Sequence, residues 1–317
     1  MLEQKNCEIS ICIGTYNRID YLKRLLDSIA IQKYKNFEVI ITDDSSNDSI
    51  EQYLKTIHVS FPIQYIRNKE TLGTPKNWTA GIPYASGQWI KVMHDDDYFS
   101  DADSLNAFAN AIDDEKEVIF SGYNAYFEST KHYLNKTIDE RSFQKIKKNP
   151  FLLLAENKIG NPSVVLFKNN SNEWYNPAYK WLVDIEGYIR MLQNTSCGYI
   201  DKPLINMSYN DSQVTNTCFR NPSIEVYEWL FLYQQYKATS TKSILVYDAW
   251  WRMIRNLKIV TVSLDFEKQV ESKLKPFLKK KNYSFVTTYM ADKKFNNWIS
   301  KVDENWSGSI PATWIIN

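Results

Sequence analysis

The sequence predicts an α/β fold, a Rossmann-like and mostly parallel sheet with helices on both faces, followed by a helical C-terminal region. Two observations predict it. Short apolar, β-branched runs alternate with segments of helical spacing through the first hundred residues, as in parallel sheets covered on both faces. From about residue 220 the spacing becomes helical throughout. Residues 9–13 form the first strand, ending in Gly14, Thr15 and Tyr16. Tyr21, Leu22, Leu25, Leu26 and Ile29 then mark a helix over residues 20–32. Residues 37–42 are a second buried strand running into Asp43-Asp44, a short helix follows at 50–55, and 63–67 is a third strand. A helix is expected over 76–85 despite Gly81 and Pro83, then a strand at 89–93 that meets His94-Asp95-Asp96-Asp97.

Beyond Asp97 the alternation weakens. A helix is expected over 103–112, a strand over 118–123, a strand or paired ribbon over 160–168, and a helix over 182–193 carrying Asp184 and Arg190. Further helices are expected at 224–236, 247–262 and 267–279. The 317 residues suit roughly two domains at ~100–200 residues each. The expected division is 1–97 and 98–219 for the first and second halves of one α/β domain, and 220–317 for the helical region.

Composition excludes several classes. The 38 Lys and Arg against 37 Asp and Glu leave a net charge of +1, without the broad positive field of a non-specific nucleic-acid binder. A hydrophobic fraction of 44% is enough for a real core. No apolar run approaches the ~18 residues of a membrane-spanning helix, and MLEQKNCEIS does not open like a secretory signal, so a cytoplasmic location is expected. Four Cys without a CxxC pair and three scattered His give neither a disulfide framework nor a zinc site.

The polar residues concentrate after strands. Gly14 to Asn17, Asp43 to Asp48 and His94 to Asp97 each follow a strand, and in an open α/β sheet such loops share the edge where ligands bind. Adjacent carboxylates at 95–97 repel one another unless a cation is present. A divalent ion with oxygen ligands resolves the repulsion and bridges to phosphates; a solvated, helix-capping turn is the plainer alternative. In the 43–48 loop, likewise, a carboxylate either accepts from a uracil N3–H or ribose hydroxyls, or caps the next helix. Tyr16 supplies a ring able to lie against a base.

Ile9 through Arg18, Phe37 through Asp48, Asn68 through Gly73 to Asn77, and Ala85-Ser86-Gly87-Gln88-Trp89-Ile90 with the acidic cluster after it together resemble, in order and spacing, the nucleotide-binding half of the family 2 glycosyltransferases over residues 8–125. The resemblance implies a GT-A fold and inverting transfer of a hexosyl or N-acetylhexosaminyl group from a nucleotide sugar, with a UDP-sugar the expected donor. It also implies Mn²⁺ or Mg²⁺ on the diphosphate, and a glycan or lipid-linked glycan acceptor in bacterial surface polysaccharide synthesis. It places Thr15, Tyr16, Asn17, Asp43, Asp44, Asn77 and Asp95 at the donor nucleotide, with Tyr16 flanking the base, Asp44 on uracil, Asp43 holding its loop and Asp95 towards the ribose. Asp96 and Asp97 are the implied metal residues, Asp96 first. Many members carry Asp-Ser-Asp-Asp where this chain has His94-Asp95-Asp96-Asp97; His94 reads as a hydrogen-bonded neighbour of the carboxylates.

Trp181 through Arg190 resembles the family's helix beneath the acceptor, which implies Asp184 as general base, with Glu186 as the reserve. Asp211 to Thr215 resembles a segment that folds over the diphosphate. Aromatic and basic residues mixed over 247–259, and the Lys-rich stretch 268–281, suit either packing in a helical subdomain or peripheral contact with the inner face of an anionic membrane. Two other classes share features of the chain. A metal-dependent receiver-like or aspartyl-phosphatase protein also places Asp residues after strands, although the spacing of Asp43, Asp44 and Asp95–Asp97 fits it poorly. A non-catalytic nucleotide-sugar-binding protein of the same fold is the other.

Overall fold

The computed structural model describes residues 7–170, 174–210, 218, 221–240, 244, 246, 261–263, 276 and 287–289. Its main sheet begins with four parallel strands in the order β3-β2-β1-β4: β1 (Ile9–Thr15), β2 (Phe37–Asp43), β3 (Ile63–Arg67) and β4 (Trp89–His94). Every residue of β1 is buried, and β2 is buried except at Glu38. That accounts for their continuous apolar sequences, because both faces of the sheet are covered. Helix α1 (Ile19–Ala30) turns Leu22, Leu25, Leu26 and Ile29 into the core at helical spacing. The second helix, α2 (Ser49–Thr56), buries Ile50.

The expected helix over 76–85 breaks in two, as α3 (Lys76–Thr79) and a 3-10 turn, Ile82–Tyr84. Gly81 and Pro83 lie at the break, where flexible backbone and a missing N–H oppose continuation.

The sheet continues from β4 into strands of both directions. β8 (Val165–Lys168) runs antiparallel between β4 and β6 (Val118–Phe127). Helix α4 (Ser104–Asn110) precedes β6, and β7 (His132–Lys136) pairs with it as an exposed hairpin arm. Parallel to β6 runs β9 (Cys197–Tyr209), and the two-residue β5 (Tyr98–Phe99) closes the far edge. Strand β6 is longer than the 118–123 expected, and β5, β7, β9 and helix α5 (Glu140–Lys148) were not expected at all. At Gly122 the β6–β9 register shifts, so that Ser121 faces Ile200 but Tyr123 faces Ile205. Beyond the shift, Ser208 N reaches Asp97 at 3.0 Å. The range 160–168 begins with a 3-10 turn, Pro162–Val164, before β8. Lys91, fully buried in β4, donates to the carbonyls of Ser163 and Val165 and lies 4.7 Å over the Phe108 ring, pinning that turn beside the sheet.

Helix α6 (Val183–Asn194) and helix α7 (Pro222–Ser240) complete the described body. A small parallel pair, β10 (Thr261–Ser263) and β11 (Thr287–Tyr289), lies beyond it. The helix expected over 247–262 therefore does not extend to Val262. Thr261 and Val262 end a β-branched run that starts at Ile259, which suits extended backbone. Residues 211–215, 247–259 and all of 268–281 except residue 276 lie outside the described residues. No described helix is long and apolar enough to cross a membrane.

Candidate active site

Register brings the three polar loops together. Thr15 lies beside Asp43 and Gly14 beside His94, so the C-terminal ends of β1, β2 and β4 form one edge. The strand order reverses there, between β1 and β4, which is where open α/β sheets bind ligands.

Asn17 ties the first loop to the second. Its backbone N–H donates to Ser45 Oγ at 2.8 Å, its Oδ1 accepts from Ser46 N at 3.1 Å, and its φ of 53° is left-handed backbone that Asn tolerates. Asp43 is held by its own loop and by β3, accepting from Ser45 N at 2.7 Å and from the Tyr65 hydroxyl at 2.8 Å. Asp44 holds the 68–73 loop, accepting from Asn68 Nδ2 at 2.7 Å, Gly73 N at 2.8 Å and Leu72 N at 3.1 Å. Gly73 allows this with a φ of 67°. Asn77, also expected at the donor, donates to the Thr15 carbonyl at 3.1 Å, while its own carbonyl accepts from Thr42 Oγ1 at 2.8 Å.

Gly14 is needed for this approach. A Cβ there would lie 3.0 Å from the Asn77 carbonyl oxygen and 3.2 Å from Trp78 Cα, both main-chain atoms. Gly14→Ala is expected to cost about 1–3 kcal/mol, the usual range for overpacking, by displacing α3. Urea denaturation checks this, and an unchanged midpoint would show that the contact has slack.

The carboxylates at 95–97 point to different partners. Asp95 accepts from Thr15 Oγ1 at 2.9 Å and Tyr16 N at 3.4 Å, and Asp97 from Asn161 Nδ2 at 2.7 Å and Ser208 N at 3.0 Å. Burial, then the neighbouring Asp96 charge, pushes both carboxyls above the usual carboxylate range. Asp96 Oδ2 accepts two long bonds, from Arg18 Nη1 at 3.3 Å and Asn210 Nδ2 at 3.5 Å, so its carboxylate is the least committed of the three. Arg24, on α1, fixes the main chain of the cluster by donating to the Asp96 carbonyl at 2.6 Å and Ser208 Oγ at 2.7 Å. Neither Arg18 nor Arg24 was singled out from the sequence, although Arg18 lies within the first motif.

A divalent cation fits this geometry. His94, Asp96 and Asp97 offer ligand atoms all within 4.8 Å of one another, with His94 Nδ1 3.9 Å from Asp97 Oδ2. Two carboxylates with an imidazole make a donor set open to Mn²⁺ or Mg²⁺ with remaining waters. His94 is a neighbour of the carboxylates, as expected, and one of the residues whose atoms could reach a cation there. Its Nδ1 lies 3.3 Å from Asn161 Nδ2, and its ring centroid 4.4 Å from that of Trp78. Burial holds its imidazole down at about 4, so it is neutral and able to ligate at neutral pH.

Asp184 begins α6. One oxygen accepts from Ile185 N at 2.8 Å and the other from Asn157 Nδ2 at 2.8 Å. Burial raises its carboxyl to about 6. One short loop joins it to the acidic cluster, since Asn157 binds Asp184 while Asn161, four positions on, binds Asp97. The same loop is folded on itself by Asn157 Nδ2 donating to the Gly160 carbonyl at 3.0 Å. Its two Asn residues around Gly160, just before Pro162, were the available sequence signal. Tyr175 and Tyr188 add buried hydroxyls without partners, and their proton affinity is raised by burial and by the Asp184 charge. Glu186, the reserve base, is fully buried and bound by Arg190 Nε and Nη2, each at 3.0 Å, and by the Tyr236 hydroxyl at 3.2 Å. A carboxylate so enclosed is structural, and the reserve assignment is withdrawn.

Known proteins resemble the chain at several levels. The profile described as "Glycosyl transferase family 2" matches residues 10–173, just over half of the 317. An uncharacterized glycosyltransferase of Rickettsia typhi is 26% identical over 261 residues, 79% of each chain. The abequosyltransferase RfbV of Salmonella typhimurium is 35% identical over 114 residues, 35% of this chain and 34% of that protein. Among solved structures, S. aureus TarS 1-349 in complex with UDP-GlcNAc superposes with a TM-score of 0.59 at 15% identity, covering 86% of this chain and 77% of TarS 1-349. The mannosyltransferase PcManGT from Pyrobaculum calidifontis, in complex with GDP-Man and Mn²⁺, gives 0.51 at 14% identity, covering 78% of this chain and 68% of that one. At such identities the likeness is one of fold.

Proposed function

Because the chain belongs to glycosyl transferase family 2, we propose that it is an inverting, divalent-metal-dependent transferase. It moves a hexosyl or N-acetylhexosaminyl group from a UDP-sugar to a hydroxyl of a glycan or lipid-linked glycan acceptor in bacterial surface polysaccharide synthesis. The observation that carries this reading is the 157–161 loop, which binds Asp184 at one end and Asp97 at the other. That loop would hold a proton acceptor and a candidate cation site in fixed relation.

In this reading Thr15, Tyr16, Asn17, Asp43, Asp44, Asn77 and Asp95 shape the donor side. Tyr16, half exposed, offers its ring to the base. Asp44 turns to the uracil N3–H by releasing the Leu72 amide, which it shares between both oxygens at 3.1 Å. Asp96 and Asp97, joined by His94, would hold Mn²⁺ or Mg²⁺. The bound ion would supply charge stabilisation to the diphosphate as it departs. Asp184 takes the acceptor hydroxyl proton while that oxygen attacks the anomeric carbon on the face opposite the diphosphate, inverting it. Asn157 keeps the carboxylate turned to its task. A relative named as an abequosyltransferase supports glycosyl transfer, and nucleotide sugars in structures of this fold support the donor class.

A thermal-shift panel of UDP, GDP and their sugars, each with and without Mn²⁺, tests the donor assignment. A rise in Tm with UDP or UDP-sugars that needs Mn²⁺ is expected, since binding to the folded state stabilises it; no shift with any nucleotide would contradict the reading. A pH prediction follows from Asp184. A base with its carboxyl at about 6 is protonated and idle below that pH and ionised above it. With metal and substrates saturating, kcat should climb through an acidic limb near pH 6; a limb below pH 5 would separate Asp184 from the chemistry.

A further inference from the structure

We propose that Glu228, on α7, is a positioning residue for Asp184: its carboxylate clamps the chain entering α6 and so sets where the base stands. The proposal rests on the base assignment above and adds a residue outside the segment that the family profile matches. Glu228 Oε1 accepts from Lys180 N at 2.7 Å, and Oε2 from Trp181 N and Leu182 N, both at 2.8 Å. These three amides immediately precede Val183 and Asp184, and the residue in the N-cap position, Leu182, has no side chain able to cap. Glu228 is 3% exposed, so water cannot readily take its place. A carboxylate is well suited to the positive end of a helix, and charge-assisted bonds from three successive amides fix its direction as well.

The clamp is reciprocated. Glu186, within the first turn of α6, accepts from the Tyr236 hydroxyl at 3.2 Å and Gln235 Nε2 at 3.4 Å, both on α7. Tyr179, just ahead of the clamped amides, donates its hydroxyl to Gln235 Oε1 at 3.0 Å and packs its ring 5.2 Å from Phe231. Each helix thus holds the other through a buried carboxylate. The base gets its position from Glu228, 44 residues further along the chain.

The Glu228 charge also reaches Asp184 directly and favours its protonated form. The other groups facing Asp184 are Asn157, which is neutral, and the Tyr175 and Tyr188 hydroxyls. Arg190 nearby is committed to Glu186. Among these, Glu228 is the fixed negative charge, so removing it should move the acidic limb of kcat to lower pH.

Glu228→Ala and Glu228→Gln in the full chain test this, with Asp184→Asn as the reference. Each is assayed as nucleoside diphosphate release from the nucleotide sugar that stabilises the protein most in the Mn²⁺ panel. Glu228→Ala is expected to lower kcat by roughly 10–100-fold, as misplacement by an ångström does, with donor KM within about twofold of wild type. Glu228→Gln keeps an oxygen for the Trp181 and Leu182 amides; it should recover most of kcat while shifting the acidic limb downward. Wild-type kcat with an unmoved limb in Glu228→Gln overturns the proposal, including when Glu228→Ala does not fold. A loss that vanishes at temperatures well below each variant's Tm does so too. If Asp184→Asn turns over normally, the base assignment itself has failed. If Asp184→Asn is inactive while the Glu228 variants match wild type, only the clamp has.

Discussion

Asp184→Asn is expected to lower kcat by about 10³-fold, close to 4 kcal/mol of transition-state stabilisation, with little change in donor affinity. The substitution keeps the shape of the side chain and removes its basicity. Asn can still accept from the Ile185 amide, but its NH₂ would face the Asn157 NH₂ that now donates at 2.8 Å. Asn157 cannot simply flip, because its Oδ1 accepts from the amides of Ile159 at 3.1 Å and Gly160 at 3.2 Å. A small loss of stability is therefore expected alongside the kinetic loss. The measurement is steady-state kinetics with a thermal melt of the same preparation, and near-normal kcat in a folded variant would refute the base assignment.

Asp96→Ala should have a comparable effect through a different step. Asp96 is the carboxylate with only long bonds from Arg18 and Asn210, and it shares a candidate cation site with His94 and Asp97. On the proposed assignment, removing it deletes a cation ligand, while Arg18 keeps its contact to Asp95 at 3.5 Å. Donor binding should lose its dependence on Mn²⁺, and turnover should fall by about 10³-fold, given that a cation on a phosphoryl oxygen is worth several kcal/mol. Arg18 cannot replace the ion, since a single guanidinium at that distance does not bridge carboxylates and diphosphate as a multiply coordinated cation does. Turnover that keeps its Mn²⁺ dependence in this variant would place the ion elsewhere.

What could be read from the sequence divides along physical lines. Strands β1, β2 and β4 are buried on both faces and bounded by polar loops, so apolar runs identify them to within a residue or two. Strand β7 is exposed along its whole length and has no apolar pattern to read. Strand β9 carries Asp201, Lys202 and Pro203 at its register shift, which sequence periodicity takes for a loop. The three polar loops of the donor side were legible because each directly follows a strand. The partners of those residues were not, because they come from remote segments. Arg24 reaches Asp96 from α1, Asn161 reaches Asp97 from the turn before β8, and Asn157 reaches Asp184 from the same loop. Glu186 shows the converse: its sequence position beside Asp184 suggested a reserve base, and only its burial against Arg190 and Tyr236 assigns it to packing.

Two separable carboxylate centres are proposed, one serving the donor through a cation and one serving the acceptor proton. Titration calorimetry of UDP into Asp184→Asn and Asp96→Ala, each with saturating Mn²⁺, compares them directly. Wild-type affinity is expected in the first variant and, in the second, the weak affinity of wild type stripped by chelator. Equal affinity in both variants, or loss in Asp184→Asn alone, would contradict that division.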